Sequence, residues 1–114
     1  MKISDVQFSD RGTVIVARVT GEIDLSNADD IGSAVQLEMP NRSRVLIFDL
    51  TEVEYLDSAG IGLIYRLMEK LHSRGQTLRL VVPANSAAND ALRLAGVSST
   101  VTMLDNVDDA LVER

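Results

Sequence analysis

Val45-Leu46-Ile47-Phe48 is an unbroken apolar run that ends in Asp49. A strand with one wet face alternates apolar and polar residues, so an unbroken run predicts a strand covered on both faces, as in a parallel sheet. Parallel neighbours need a crossover, usually a helix. Ile61, Ile64, Leu67, Met68 and Leu71 recur at helical spacing and predict that helix from about Ser58 to Arg74. His72 and Arg74 complement its negative end, and Gly75 suits a left-handed cap. Thr77 to Val82 predicts the next strand, stopped at Pro83, and Asn85 or Ser86 can cap a helix through Ala91, Leu92 and Ala95 to Gly96. Val101 to Leu104 predicts a short last strand, and Asp105 or Asn106 caps a terminal helix through Val107, Ala110 and Leu111.

Upstream, Ile3 to Phe8 alternates, Ser9-Asp10-Arg11-Gly12 supplies a turn, and Thr13 to Thr20 is rich in β-branched residues. These runs predict an antiparallel hairpin whose second strand continues toward Gly21-Glu22-Ile23-Asp24. Ser26 stands three before Asp29, a capping-box spacing, ahead of a helix that turns Ala28, Ile31, Ala34 and Val35 inward and stops before Pro40. The order β-β-α-β-α-β-α-β-α specifies an α/β fold with one mixed sheet: an antiparallel hairpin, then right-handed βαβ units. A length of 114 residues suits a single domain over 1–114.

Composition narrows the function. At 46% hydrophobic the chain has material for a packed core, and a formal net charge of −6 disfavours nucleic acid or an anionic bilayer as partner. Zero cysteines remove disulfides, thiolate metal sites and cysteine nucleophiles, and fit a reducing cytoplasm. His72 is the single histidine, so no histidine cluster exists for a metal. The longest apolar runs hold four residues, too short for a signal peptide or a membrane span. Of seventeen acidic residues, nine fall between Glu22 and Asp57, against only Arg42 and Arg44. That block predicts a basic partner surface, with association slowed by salt.

The segment Thr51-Glu52-Val53-Glu54-Tyr55-Leu56-Asp57-Ser58-Ala59-Gly60-Ile61-Gly62 puts two glycines into the first turn of a strong helix. Each costs up to about 1 kcal/mol relative to Ala. In one reading Asp57 or Ser58 is only an N-cap and the glycines ease strand–helix packing. In the other, the small side chains make a smooth surface for a partner's backbone, and Ser58 is a regulated hydroxyl. A phosphate there would meet the positive helix end and free N–H groups, while its charge of about −1.5 to −2 beside Asp57 penalises a close partner. Enzymatic readings fit less well. Leu56 breaks the G-x-S-x-G elbow, and His72 lies roughly 21 Å along the same helix from Ser58. Asp49 lacks the acidic pair and late Lys of a phospho-acceptor site, and Tyr65 occupies the third glycine position of a dinucleotide fingerprint.

Val45 to Leu50, a short acidic loop, and then Leu56-Asp57-Ser58-Ala59-Gly60-Ile61-Gly62-Leu63 resemble the core of the STAS domain, specifically the bacterial anti-sigma factor antagonists. Gly21-Glu22-Ile23-Asp24 resembles another stretch of that family. The resemblance spans essentially the whole chain. It implies a four- or five-stranded mixed sheet with about four helices, mainly on one side, and a switch protein without catalysis, cofactor or metal. It further implies that the unphosphorylated form binds an anti-sigma factor with a GHKL-type serine kinase fold and so frees a sigma factor. Phosphorylation at the position of Ser58 ends that binding, and a PPM-type phosphatase resets it. By the same resemblance Asp24, Asp57, Ser58, Ala59, Gly60 and Gly62 lie in the partner-binding region. Many members carry Ser or Thr where Ala59 stands, so Ser58 is the motif's only hydroxyl here. Other STAS domains serve as unmodified adaptors in stress-sensing or transport assemblies, which is the alternative reading.

Overall fold

The structure, a computed structural model, describes residues 5–112. The elements are β1 (Asp5–Asp10), β2 (Val14–Ile23), α1 (Ala28–Glu38), β3 (Val45–Leu56), α2 (Ser58–Ser73), β4 (Thr77–Val81), α3 (Ala87–Leu94), a 3-10 turn (Val97–Ser99), β5 (Thr102–Leu104) and α4 (Val107–Val112). They form one five-stranded sheet in the order β1-β2-β3-β4-β5. The β1–β2 pair is antiparallel and the other pairs are parallel. This is the expected mixed α/β sheet; Ile3, placed in the first strand by its alternation, lies outside the described residues.

The sheet divides the core. On one face Ile15, Ala17 and Val19 of β2, Leu46, Phe48 and Leu50 of β3, and Leu78 and Leu80 of β4 pack against α1, α2 and α3. On the other, Val16, Ile47 and Val81 pack with Ala110 of α4. Adjacent β3 residues therefore face different helical layers, which is why the run Val45 to Phe48 does not alternate. Helix α2 buries Leu63, Ile64, Leu67 and Leu71, each worth about 1.5–3 kcal/mol of apolar burial.

The expected caps are partly realised. Ser86 accepts from Asn89 N at 3.1 Å and Asn106 from Asp109 N at 2.8 Å, and Gly75 is left-handed at φ +71° after α2. The Ser26 capping box does not form. Asn27 occupies the N-cap of α1, and the Ser26 hydroxyl donates to Asp24 Oδ1 instead. Ala34, expected inward, is only half-buried, whereas Gly32 is buried where α1 crosses α2. A Cβ at Gly32 would lie 2.8 Å from Leu63 Cδ1.

The stretch expected as a short acidic loop after Leu50 is instead a continuation of β3. On the face that packs against α1, α2 and α3 the buried residues of β3 are Leu46, Phe48 and Leu50, then Val53, then Leu56, so the spacing changes from two to three. The pairing with β2 explains this: Arg18 faces Asp49 but Thr20 faces Glu52, and Gly21 faces Val53 but Glu22 faces Tyr55. Each irregularity adds one residue to β3, as a β-bulge does, and returns an apolar side chain to the core face. The strand thus reaches Leu56 beside Ile23 and delivers α2 next to the end of β2.

Candidate functional site

The site lies where β2 and β3 end together. Asp57 follows β3 in extended conformation, and its N–H donates to the Ile23 carbonyl at 3.2 Å. Its carboxylate does two things. Oδ1 accepts from the Ala59 and Gly60 N–H groups at 2.9 and 3.1 Å, capping α2. Oδ2 accepts from the Leu25 N–H at 3.3 Å, tying the β2–α1 loop to the same helix end. Asp57, not Ser58, is therefore the N-cap. The helix end was expected to offer free N–H groups to a phosphate; those of Ala59 and Gly60 are taken by the Asp57 carboxylate.

The loop is held from within. The Asp24 carbonyl accepts from the N–H groups of Asn27 and Ala28 at 3.1 and 2.9 Å. Asn27 Oδ1 accepts from Asp24 N at 3.0 Å, while Asn27 Nδ2 donates to the Glu22 carbonyl at 2.8 Å. Asp24 Oδ1 accepts from Ser26 N at 2.9 Å and from the Ser26 hydroxyl. Asp24 thus shapes the loop with both its backbone and its side chain. The result presents Leu25 to solvent at 85% exposure.

Ser58 opens α2 and is exposed; its hydroxyl makes no hydrogen bond among the described residues. Ala59 is half-buried against the core. The two glycines differ. A Cβ at Gly60 would collide with Leu56 Cδ1 and sit 3.1 Å from both Ile23 Cγ2 and the Ile23 carbonyl oxygen, whereas at Gly62 the nearest atom is an Arg66 guanidinium nitrogen at 3.4 Å. Gly60 is required by strand–helix packing, so the packing reading holds for one glycine and not for the other.

Leu25, Ala28, Asp29, Asp57, Ser58, Ala59 and Arg66 line an open cleft of about 400 Å³. Arg66 forms part of its wall, its guanidinium 3.2 Å from Asp29 Oδ1 on α1. Leu25, Asp29 and Arg66 are the members that sequence reasoning missed. Arg66 stands eight residues after Ser58, a spacing that puts both on one face of a helix; Leu25 and Asp29 carry no comparable local signal.

The acidic block does not gather into one patch. Asp49 is buried, facing the α4 side, and accepts from Thr51 N at 3.0 Å. Glu52 pairs with Arg18 at 3.3 Å and Asp29 with Arg66. Asp24 and Asp57 remain at the site, with Tyr55 half exposed at the preceding strand end. His72 is exposed in the last turn of α2, at the far end from Ser58. No cluster of three potential metal ligands occurs among the described residues, and no helix among them is long and apolar enough to cross a membrane.

Comparison with known proteins agrees with this architecture. The family model of the STAS domain matches residues 5–110. The anti-sigma-F factor antagonist RsfB of Mycobacterium tuberculosis is 30% identical over 107 residues, covering 93% of this chain and 85% of RsfB. The crystal structure of an anti-sigma factor antagonist from Mycobacterium paratuberculosis superposes with a TM-score of 0.84 at 27% identity, covering 96% of this chain and 92% of that one. SpoIIAA in its unphosphorylated form shares the fold, with a TM-score of 0.68 at 17% identity over 95% of this chain and 94% of that one. With its mixed five-stranded sheet and its match over residues 5–110, the chain belongs to the STAS domain family.

Proposed function

We propose that this protein is an anti-sigma factor antagonist, gated at Ser58. In this reading the unmodified face around Ser58 and Leu25 binds an anti-sigma factor that is also a GHKL-type serine kinase, and so releases a sigma factor. The kinase phosphorylates Ser58, the complex dissociates, and a PPM-type phosphatase restores the binding form. The observation that carries the reading is an exposed serine hydroxyl, without a hydrogen bond among the described residues, at the first position of α2, on a frame held by Asp57 and next to an exposed leucine. Relatives named as anti-sigma factor antagonists support it.

The physical basis is an asymmetry of cost. The fold tolerates a group on Ser58, because its side chain lies in an open cleft and makes no hydrogen bond among the described residues. A partner seated on Leu25 and the α2 terminus would have to desolvate about −1.5 to −2 units of charge beside Asp57. In this reading Asp24 and Asp57 act by shaping the surface, Gly60 allows the helix to approach β2, and Ala59 and Gly62 keep the contact low. Incubation with the partner kinase and ATP, followed by intact-mass measurement, tests it. One phosphate on the wild type and none on Ser58→Ala is the expected result. A partner that binds without ever adding phosphate, or an adduct that survives Ser58→Ala, refutes the gate and favours an unmodified adaptor.

A further inference from the structure

Gly62 is not demanded by core packing, and the N–H groups of Ala59 and Gly60 are already bonded to Asp57. A charge placed on Ser58 therefore does not find those donors open. We propose that Arg66 binds the phosphoryl group of modified Ser58, giving up its ion pair with Asp29 to do so. This inference rests on the reading of Ser58 as the modified residue.

Ser58, Gly62 and Arg66 follow one another at intervals of four, on one face of α2. Long side chains on a helix lean toward its N-terminus, and Arg66 does so. One guanidinium nitrogen lies 3.4 Å from where a Cβ at Gly62 would be, and the other is 3.2 Å from Asp29 Oδ1. The guanidinium has therefore already covered one of the two turns that separate it from Ser58. Successive Cβ positions at this interval are about 5–6 Å apart, so about one such step separates the guanidinium from the position of Ser58. Ser58 and Arg66 line the same cleft.

The exchange is favourable on charge and geometry. The Arg66–Asp29 pair is open to water, with side chains 52% and 95% exposed, so it holds Arg66 only weakly. A phosphate carries more charge than a carboxylate and offers three oxygens to a planar fork of donors. Gly62 then has a purpose: it leaves the path between Arg66 and Ser58 clear of a side chain. The exchange also frees the Asp29 carboxylate, so modification adds one uncompensated charge on α1 to the one on Ser58.

Phosphoserine installed at position 58 during synthesis, by stop-codon suppression, makes the test independent of any kinase. The charged groups around it are Asp57, Asp24 in the adjoining loop, Asp29 on α1 and Arg66. The second ionisation of phosphoserine lies near pH 6 and is followed by phosphorus NMR. In the wild-type background we expect it on the order of half a unit lower than in Arg66→Gln, with Arg66→Lys between them and Asp29→Asn at or below wild type. Superimposable titrations of wild type and Arg66→Gln, or a higher value in Asp29→Asn than in wild type, overturn the proposal. A kinase that fails to modify Ser58 would overturn the proposed gate and leave this titration unaffected.

Discussion

Ala substitutions at the two glycines of the first turn of α2 should shift stability in opposite directions. A Cβ at position 60 meets Leu56 Cδ1 and the Ile23 carbonyl oxygen, the latter at 3.1 Å. The leucine end can rotate, but the carbonyl is held by the Asp57 N–H at 3.2 Å. Relief therefore requires moving α2 away from β2, an overpacking cost of about 1–3 kcal/mol. Helix propensity returns at most about 1 kcal/mol, so Gly60→Ala should destabilise by about 1–2 kcal/mol. At position 62 the nearest atom is the mobile end of Arg66, the propensity gain is unopposed, and Gly62→Ala should stabilise by about 0.5–1 kcal/mol. With a urea slope of about 2 kcal/mol/M, the two midpoints should differ by about 1 M. Equilibrium urea unfolding followed by circular dichroism measures this directly. Equal shifts for the two variants, or a stabilised Gly60→Ala, would refute the packing argument.

Other consequences follow from the same frame. Leu25→Ala removes an exposed side chain, so its unfolding free energy should stay within about 0.5 kcal/mol of wild type, while partner affinity measured by calorimetry drops by about tenfold or more. Asp57→Ala removes both the α2 cap and the Leu25 tether; the expected loss is about 1–2 kcal/mol, or about 4–8 °C in a thermal melt, and an unchanged melting temperature would contradict the cap. Asp10 is held below the usual carboxylate range, first by the Gly12 N–H and then by Arg42. Its stabilising contribution is therefore present above the unfolded value of about 3.9 and is lost as pH falls through the depressed folded value. NMR titration of Asp10 should show its pKa rising, without fully normalising, in Arg42→Ala.

What the sequence revealed, and what it concealed, divides along the range of the interactions. The helix from Ser58 and its glycine stop at Gly75 were legible because periodicity and capping are local. The end of β3 was not, because two bulges break the period-2 pattern after Leu50, and they exist only through the pairing with β2. Ser26 has the spacing of a capping box, yet Asn27 occupies the cap position without a side-chain cap bond, its amide bridging Asp24 N and the Glu22 carbonyl instead. The motif around Ser58 pointed to the site, whereas Leu25 and Asp29 join it through contacts across 32 and 37 residues that no window of sequence displays. Gly60 and Gly62 looked equivalent in sequence; the positions of Leu56 and Ile23 separate them.

In the proposed gate, charge on Ser58, and not loss of its hydroxyl, ends partner binding. The most direct test is the dissociation constant for the anti-sigma factor partner of three proteins: wild type, Ser58→Ala and the chain carrying phosphoserine at 58. A gate at Ser58 requires that Ser58→Ala bind within a few-fold of wild type, and that the phosphorylated chain bind on the order of a hundredfold or more weaker, equivalent to about 3 kcal/mol, with an unchanged thermal melt. Equal affinity with and without the phosphate would contradict it.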